Sequence, residues 1–157
     1  MIEKLKNYET ITFKLFGKET ELSVISTGDN QFDESGNYKK GSFELNEKEL
    51  EVLNWFIENV RIEDYKQEIV DYCNDVYSSW SYSDGTSEGP IGIEDLEEEL
   101  NITSIAINVV EIWQSKDGYV YPEISFYGDC KCDEEHGICI GFRDKKFLGI
   151  KSQDWTL

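Results

Sequence analysis

Apolar and polar side chains alternate with period two from Thr10 to Phe16, and again from Thr20 to Ile25 after a break at Gly17-Lys18. Such alternation suits strands with one buried face, and two such runs around a short break predict a β-hairpin. Residues 27–41 lose the pattern to Gly, Asp, Asn and Ser, which predicts a loop with a short extended piece near Phe32. After Leu45 the period lengthens. Leu50, Leu53, Ile57 and Val60 recur at roughly helical spacing, with Trp55 flanking them, behind Asn46 as N-cap and Glu49 as its capping-box partner. A second helix is predicted over 63–76, where Tyr65, Ile69, Tyr72, Cys73 and Val76 share one face. On that face Cys73 is expected to pack as a small hydrophobe.

Residues 78–92 read as a polar loop, followed by a short helix over 93–100 with Leu96 and Leu100 facing in and its acids facing out. From Thr103 the alternation returns through Ile105, Ile107 and Val109. A turn at 115–118 leads into a strand over 119–126, and further strands follow over 137–143 and 147–150 around a turn at Asp144-Lys145. Strands, then helices, then strands make the fold class α+β: an N-terminal β-hairpin, central helices and a C-terminal antiparallel β-meander. The length of 157 residues and the lack of an internal linker predict one acidic domain over residues 1–157.

Charge adds a second pattern. The formal net charge is −18, and between Gln67 and Ser115 eleven acids occur with no Lys or Arg. A field of one sign repels nucleic acid and anionic membrane and draws basic partners in quickly. No apolar targeting run opens the chain and no stretch is long enough to span a bilayer, so a cytoplasmic location is expected. The four cysteines match no familiar disulfide scaffold, which agrees with a reducing compartment.

Candidate chemistry is sparse. Cys130, Cys132, His136 and Cys139 bring three thiols and the single histidine into ten residues, a set that Zn²⁺ favours in type. Their spacing differs from the usual paired knuckles of structural zinc sites, and the alternative reading is a turn between two strands. A Cys–His nucleophile would have to use His136, and the neighbouring carboxylates would weaken such a thiol. Dinucleotide-binding, Walker, nucleophile-elbow and EF-hand patterns are all missing from the chain. The sequence therefore predicts a non-enzymatic protein without a cofactor, with the Cys130/Cys132/His136/Cys139 metal module as an alternative.

Three tail segments carry a resemblance: Pro122-Glu123-Ile124-Ser125-Phe126, Asp133-Glu134-Glu135-His136-Gly137-Ile138-Cys139-Ile140, and Lys146-Phe147-Leu148-Gly149-Ile150. Together they resemble a bacterial domain of unknown function whose members carry a Trp-Asp-Glu-Glu-His-Gly-Leu-Gly-Val turn and strand. That domain occurs among the immunity-type proteins of polymorphic toxin systems. The resemblance implies Asp133, Glu135, His136 and Gly137 as motif positions, with Cys132 in place of Trp and Cys139 in place of Gly. A structural role is expected for them: Gly137 permits a turn with positive φ, and His136 would bridge a backbone carbonyl and Glu135.

These strands of argument predict a protein that binds another protein, in the manner of an immunity protein neutralising a basic toxin. The expected docking residues are Asp84, Glu88, Glu94, Asp95, Glu97, Glu98 and Glu99 for steering, with Trp80 and Tyr82 as aromatic anchors. A nucleic-acid mimic acting against a defence enzyme is the competing reading. Neither direct nucleic-acid binding nor membrane association is expected.

Overall fold

The computed structural model describes residues 1–80, 89–111 and 120–156. Six strands form one sheet in chain order: β1 (Thr10–Leu15), β2 (Lys18–Ser26), β3 (Leu100–Ile107), β4 (Ile124–Cys130), β5 (Ile138–Arg143) and β6 (Lys146–Lys151). Two-residue turns close both outer hairpins. Phe16 and Gly17 sit at φ 51° and 79°, and Asp144 and Lys145 at 51° and 62°. Left-handed pairs of this kind match the twist of the strands they join. The α+β class, the opening hairpin and the closing meander are all present. What the alternation left open is how hairpin and meander meet: β2 pairs parallel with β3, while every other neighbouring pair is antiparallel. A parallel pair requires a crossover, and the helices supply it.

Helix α1 (Glu47–Asn59) begins at the capping box foreseen from sequence. The Asn46 side chain accepts from the Glu49 N–H at 2.9 Å, and Glu49 accepts from the Asn46 N–H at 3.0 Å. Glu49 is fully buried and has further partners. Its carboxylate also accepts from the Ser26 hydroxyl at 2.5 Å and the Asn30 amide at 2.7 Å, which ties the end of β2 and the following loop to the helix. Helix α2 (Lys66–Trp80) starts later than the pattern predicted, because Ile62–Tyr65 form a 3₁₀ turn. It also runs on to Trp80, so residues 78–80, expected in a loop, are helical. A short α3 (Leu96–Glu99) follows another 3₁₀ turn and leads straight into β3.

Both long helices cover the same face of the sheet. Directly paired residues on neighbouring strands point the same way, so Val24, Ile105, Phe126, Ile140 and Ile150 make one apolar row. Phe56 of α1 sits at the centre, with ring centroids 4.7 Å from Phe126, 5.5 Å from Phe142 and 5.6 Å from Phe13. The opposite face carries a row of Ile25, Ala106, Ser125, Gly141 and Gly149. There the C-terminal segment folds back, and Trp155 lies against Gly141 and Gly149 with its indole N–H donated to the Val120 carbonyl at 2.9 Å. Larger side chains at Gly141 would collide with Pro122 and Trp155, so the small residues make room for the tail.

No helix among the described residues is long and apolar enough to cross a membrane. Phe56 fixes the helix layer to three strands at once, so Phe56→Ala should cost about 3–5 kcal/mol in urea unfolding with little change in the denaturant slope. A loss below about 1 kcal/mol would show that the aromatic cluster is not the centre of the core.

Candidate site: a buried carboxylate beside clustered thiols

Leu96 and Leu100 face the core as expected, and both are buried. On a helix the residue three places after Leu96 shares its side, and that residue is Glu99. Glu99 is 4% exposed, so it belongs to the interior and not to an outward row of acids. The Tyr77 hydroxyl lies 2.9 and 3.0 Å from its two oxygens, and the Cys132 N–H is donated to Oε1 at 2.8 Å. A buried carboxylate without such donors would be strongly unfavourable. Burial, followed by the bond to Glu99, pushes the Tyr77 phenol well above its ordinary value. Tyr77 therefore stays a donor over the whole working pH range. Tyr77 is itself a buried interior residue.

Two thiols meet at this carboxylate, and a third lies against one of them. Cys73 on α2, Cys132 on the 3₁₀ turn after β4 (Lys131–Asp133) and Glu99 place a sulfur, a sulfur and an oxygen within 4.8 Å of one another. Cys130 completes the group, its Sγ 3.3 Å from that of Cys132. All four side chains are buried, and the cysteines are free thiols. The Cys130 thiol is raised far above its usual range by the bond with Cys132 and then by burial. For Cys132 the contact with Cys130 lowers the value, but the bond to Cys73 and burial together raise it more. Tyr72 stands beside the same thiols, half-buried, and is raised by burial and then by their charge. Such thiols are poor nucleophiles while protonated.

The four-residue set Cys130, Cys132, His136 and Cys139 does not converge. Ile138 and Ile140 point into the helix-covered core, so Cys139 between them faces the other side of the sheet, beside Ser125. There burial pushes its thiol up to about 12. His136 is exposed on the turn. Cys73, read from sequence as core packing alone, is core and also a member of the thiol group.

The motif positions form a turn. Asp133 Oδ1 accepts from the His136 N–H at 3.1 Å and lies 3.0 Å from His136 Nδ1. Asp133 thus does what was expected of Glu135, which is exposed. Gly137 has φ 66°, as anticipated, and its missing side chain leaves room for Gln153 to reach the Gly128 carbonyl. Gln153 also donates its own N–H to the His136 carbonyl at 2.9 Å, so the turn anchors the C-terminal segment.

The other acids of the segment around α3 do face solvent. Glu94, Asp95, Glu97 and Glu98 are exposed; Asp95 accepts from the Gly92 N–H at 2.8 Å, and Glu97 pairs with Lys18 at 3.2 Å. Glu98 lines an open groove of about 320 Å³ together with Asp129, Glu134 and Lys131, and Glu99 and Cys130 form part of its wall. Tyr82, Asp84, Glu88 and the side chain of Trp80 lie outside the described residues.

The Asp133 contact, followed by its charge, holds the His136 imidazole above its ordinary value of 6.5. The folded value is the higher one, so this pair stabilises the fold below the ordinary value and ceases to do so as pH rises through the folded one. NMR titration of this single histidine should give a midpoint above 6.5, and Asp133→Asn should return it towards 6.5. An unchanged midpoint in that variant would remove the contact from the account.

Comparison with known families gives a match. The model of the family described as Domain of unknown function (DUF6985) covers residues 2–157. No curated protein and no solved structure matches the chain. With a match over nearly its entire length, the chain belongs to the DUF6985 family.

Proposed function

We propose that this protein acts by binding a basic protein partner through the acidic edge around α3, as an immunity protein would neutralise a toxin. The observation that supports this reading is the groove lined by Glu98, Asp129 and Glu134, with Lys131 as the one base along it. Glu94 and Asp95 are exposed on the turn just before α3, and α2 adds exposed Asp71 and Asp75 beside it. Asn74, between those two acids, accepts the Ile91 N–H at 2.8 Å and donates to the Ile91 carbonyl at 3.0 Å, which holds the helix against the acidic segment. Acids on α2, on the turn before α3 and on α3 thus come from adjoining segments.

A shared potential of this kind attracts a basic partner over a distance of several ångströms and orients it before contact. It is also the feature that disfavours nucleic acid as a direct ligand. Two members of the expected docking set change role. Glu99 is interior, and Glu97 is already paired with Lys18, so the steering charge comes from Glu94, Asp95 and Glu98 with Asp129 and Glu134.

The test is capture of a basic toxin domain by the purified chain, followed by biolayer interferometry across a salt series. The association rate should fall at least tenfold between about 50 and 500 mM salt. The triple variant Glu94→Lys/Asp95→Lys/Glu98→Lys should lower the association rate far more than it raises the dissociation rate. Binding that ignores salt, or that the triple reversal leaves unchanged, would contradict the acidic edge as the docking surface. Competition by duplex DNA for the same partner would instead favour the nucleic-acid mimic.

A further inference from the structure

The thiol group is unusual in its surroundings as well as its composition. Cys73 comes from α2, Glu99 from the end of α3, and Cys130 and Cys132 from the end of β4 and its following turn. Three chain segments far apart in sequence therefore bring soft sulfur donors and one carboxylate to a single point. Hydrophobic packing alone needs none of these groups, and a buried carboxylate adds a cost that packing does not repay.

We propose that Cys73, Cys132 and Glu99 form a Zn²⁺ site behind the wall of the acidic groove, with the neighbouring Cys130 thiol turning in as the fourth donor. Three features of the geometry support it. First, the donor atoms of Cys73, Cys132 and Glu99 lie within 4.8 Å of one another, and Cys130 Sγ is 3.3 Å from Cys132 Sγ. Zinc–sulfur bonds of about 2.3 Å in a tetrahedron place sulfurs about 3.8 Å apart, so small side-chain adjustments bring the atoms of Cys73, Cys132 and Glu99 into range, and Cys130 has to turn towards them. Second, the carboxylate is already oriented. The Tyr77 hydroxyl and the Cys132 N–H hold it from behind, as outer partners hold the ligands of metal centres. Third, there is a route in: the groove wall includes Glu99 and Cys130, and its rim carries Glu98, Asp129 and Glu134, which concentrate cations at the mouth.

Sulfur donors select a thiophilic ion over Ca²⁺ or Mg²⁺, which take oxygen. On binding, metal–sulfur bonds replace the S–H bonds and the thiol protons leave to solvent. The ion would cross-link α2, α3 and the turn after β4, directly beneath the edge assigned to partner binding. The site stands on its own geometry and does not depend on the partner reading. It also differs from a set built on the turn, because it uses Cys73 and Glu99 and leaves out His136 and Cys139.

Co²⁺ is the probe, titrated into the reduced full-length chain and then displaced by Zn²⁺. One equivalent should produce an intense thiolate-to-cobalt absorption that one equivalent of Zn²⁺ abolishes. Cys132→Ser should weaken binding at least about tenfold, whereas Cys139→Ser and His136→Ala should bind as the parent does. If Cys132→Ser fails to fold, the parent and the two other variants decide the matter. A parent chain without the absorption overturns the site, as does its loss in Cys139→Ser or His136→Ala, or undiminished binding by a folded Cys132→Ser.

Discussion

One carboxyl group held inside the protein organises the region between the helices and the sheet. Glu99 ends the shortest helix of the fold, yet it is reached by a phenol from α2 and a backbone N–H from the turn after β4. Each donor constrains the element that bears it. Tyr77 must lie on the inner face of α2, so the helix has to continue past residue 76 for that side chain to arrive. Cys132 must turn its N–H inward, which bends the chain into a 3₁₀ turn as soon as β4 ends. Because a buried carboxylate missing a donor is costly, the two donors stand or fall together.

A second buried acid works by the same logic at the other end of the helix layer. Glu49 collects the Asn46 N–H, the Ser26 hydroxyl and the Asn30 amide, so the entry to α1, the end of β2 and the adjoining loop share one acceptor. Between the two acids lies the aromatic packing around Phe56. The protein thus uses its excess of negative charge in two ways. Among the described residues, Glu49 and Glu99 are drawn inside and surrounded by donors, while Glu94, Asp95, Glu97 and Glu98 remain in water and Glu98 shares a groove with Asp129 and Glu134.

Much of the architecture was legible in the chain. The period-two runs gave β1, β2, β5 and β6 with small errors at their ends, and Asn46 with Glu49 marked the start of α1. Other features were hidden for physical reasons. A parallel join between β2 and β3 leaves no local mark, because it depends on how far the crossover carries the chain. The strand before the Cys-rich turn was placed too early, since Tyr127, Gly128 and Asp129 carry little apolar signal, yet β4 continues to Cys130. Acids were assigned to the surface by type, which holds for Glu94, Asp95 and Glu98 and fails for Glu99. The helical offset from Leu96 was the available clue. Convergence of Cys73 with Cys132 is a tertiary fact that spacing within either segment could not reveal.

The measurement closest to the heart of this account is a double-mutant cycle on Tyr77→Phe and Glu99→Leu, read by urea unfolding. If the interior carboxylate and the phenol act as one unit, the coupling between them should be about 1–3 kcal/mol. Strictly additive losses, equal within about 0.5 kcal/mol, would mean that Glu99 does not hold α2 and α3 together.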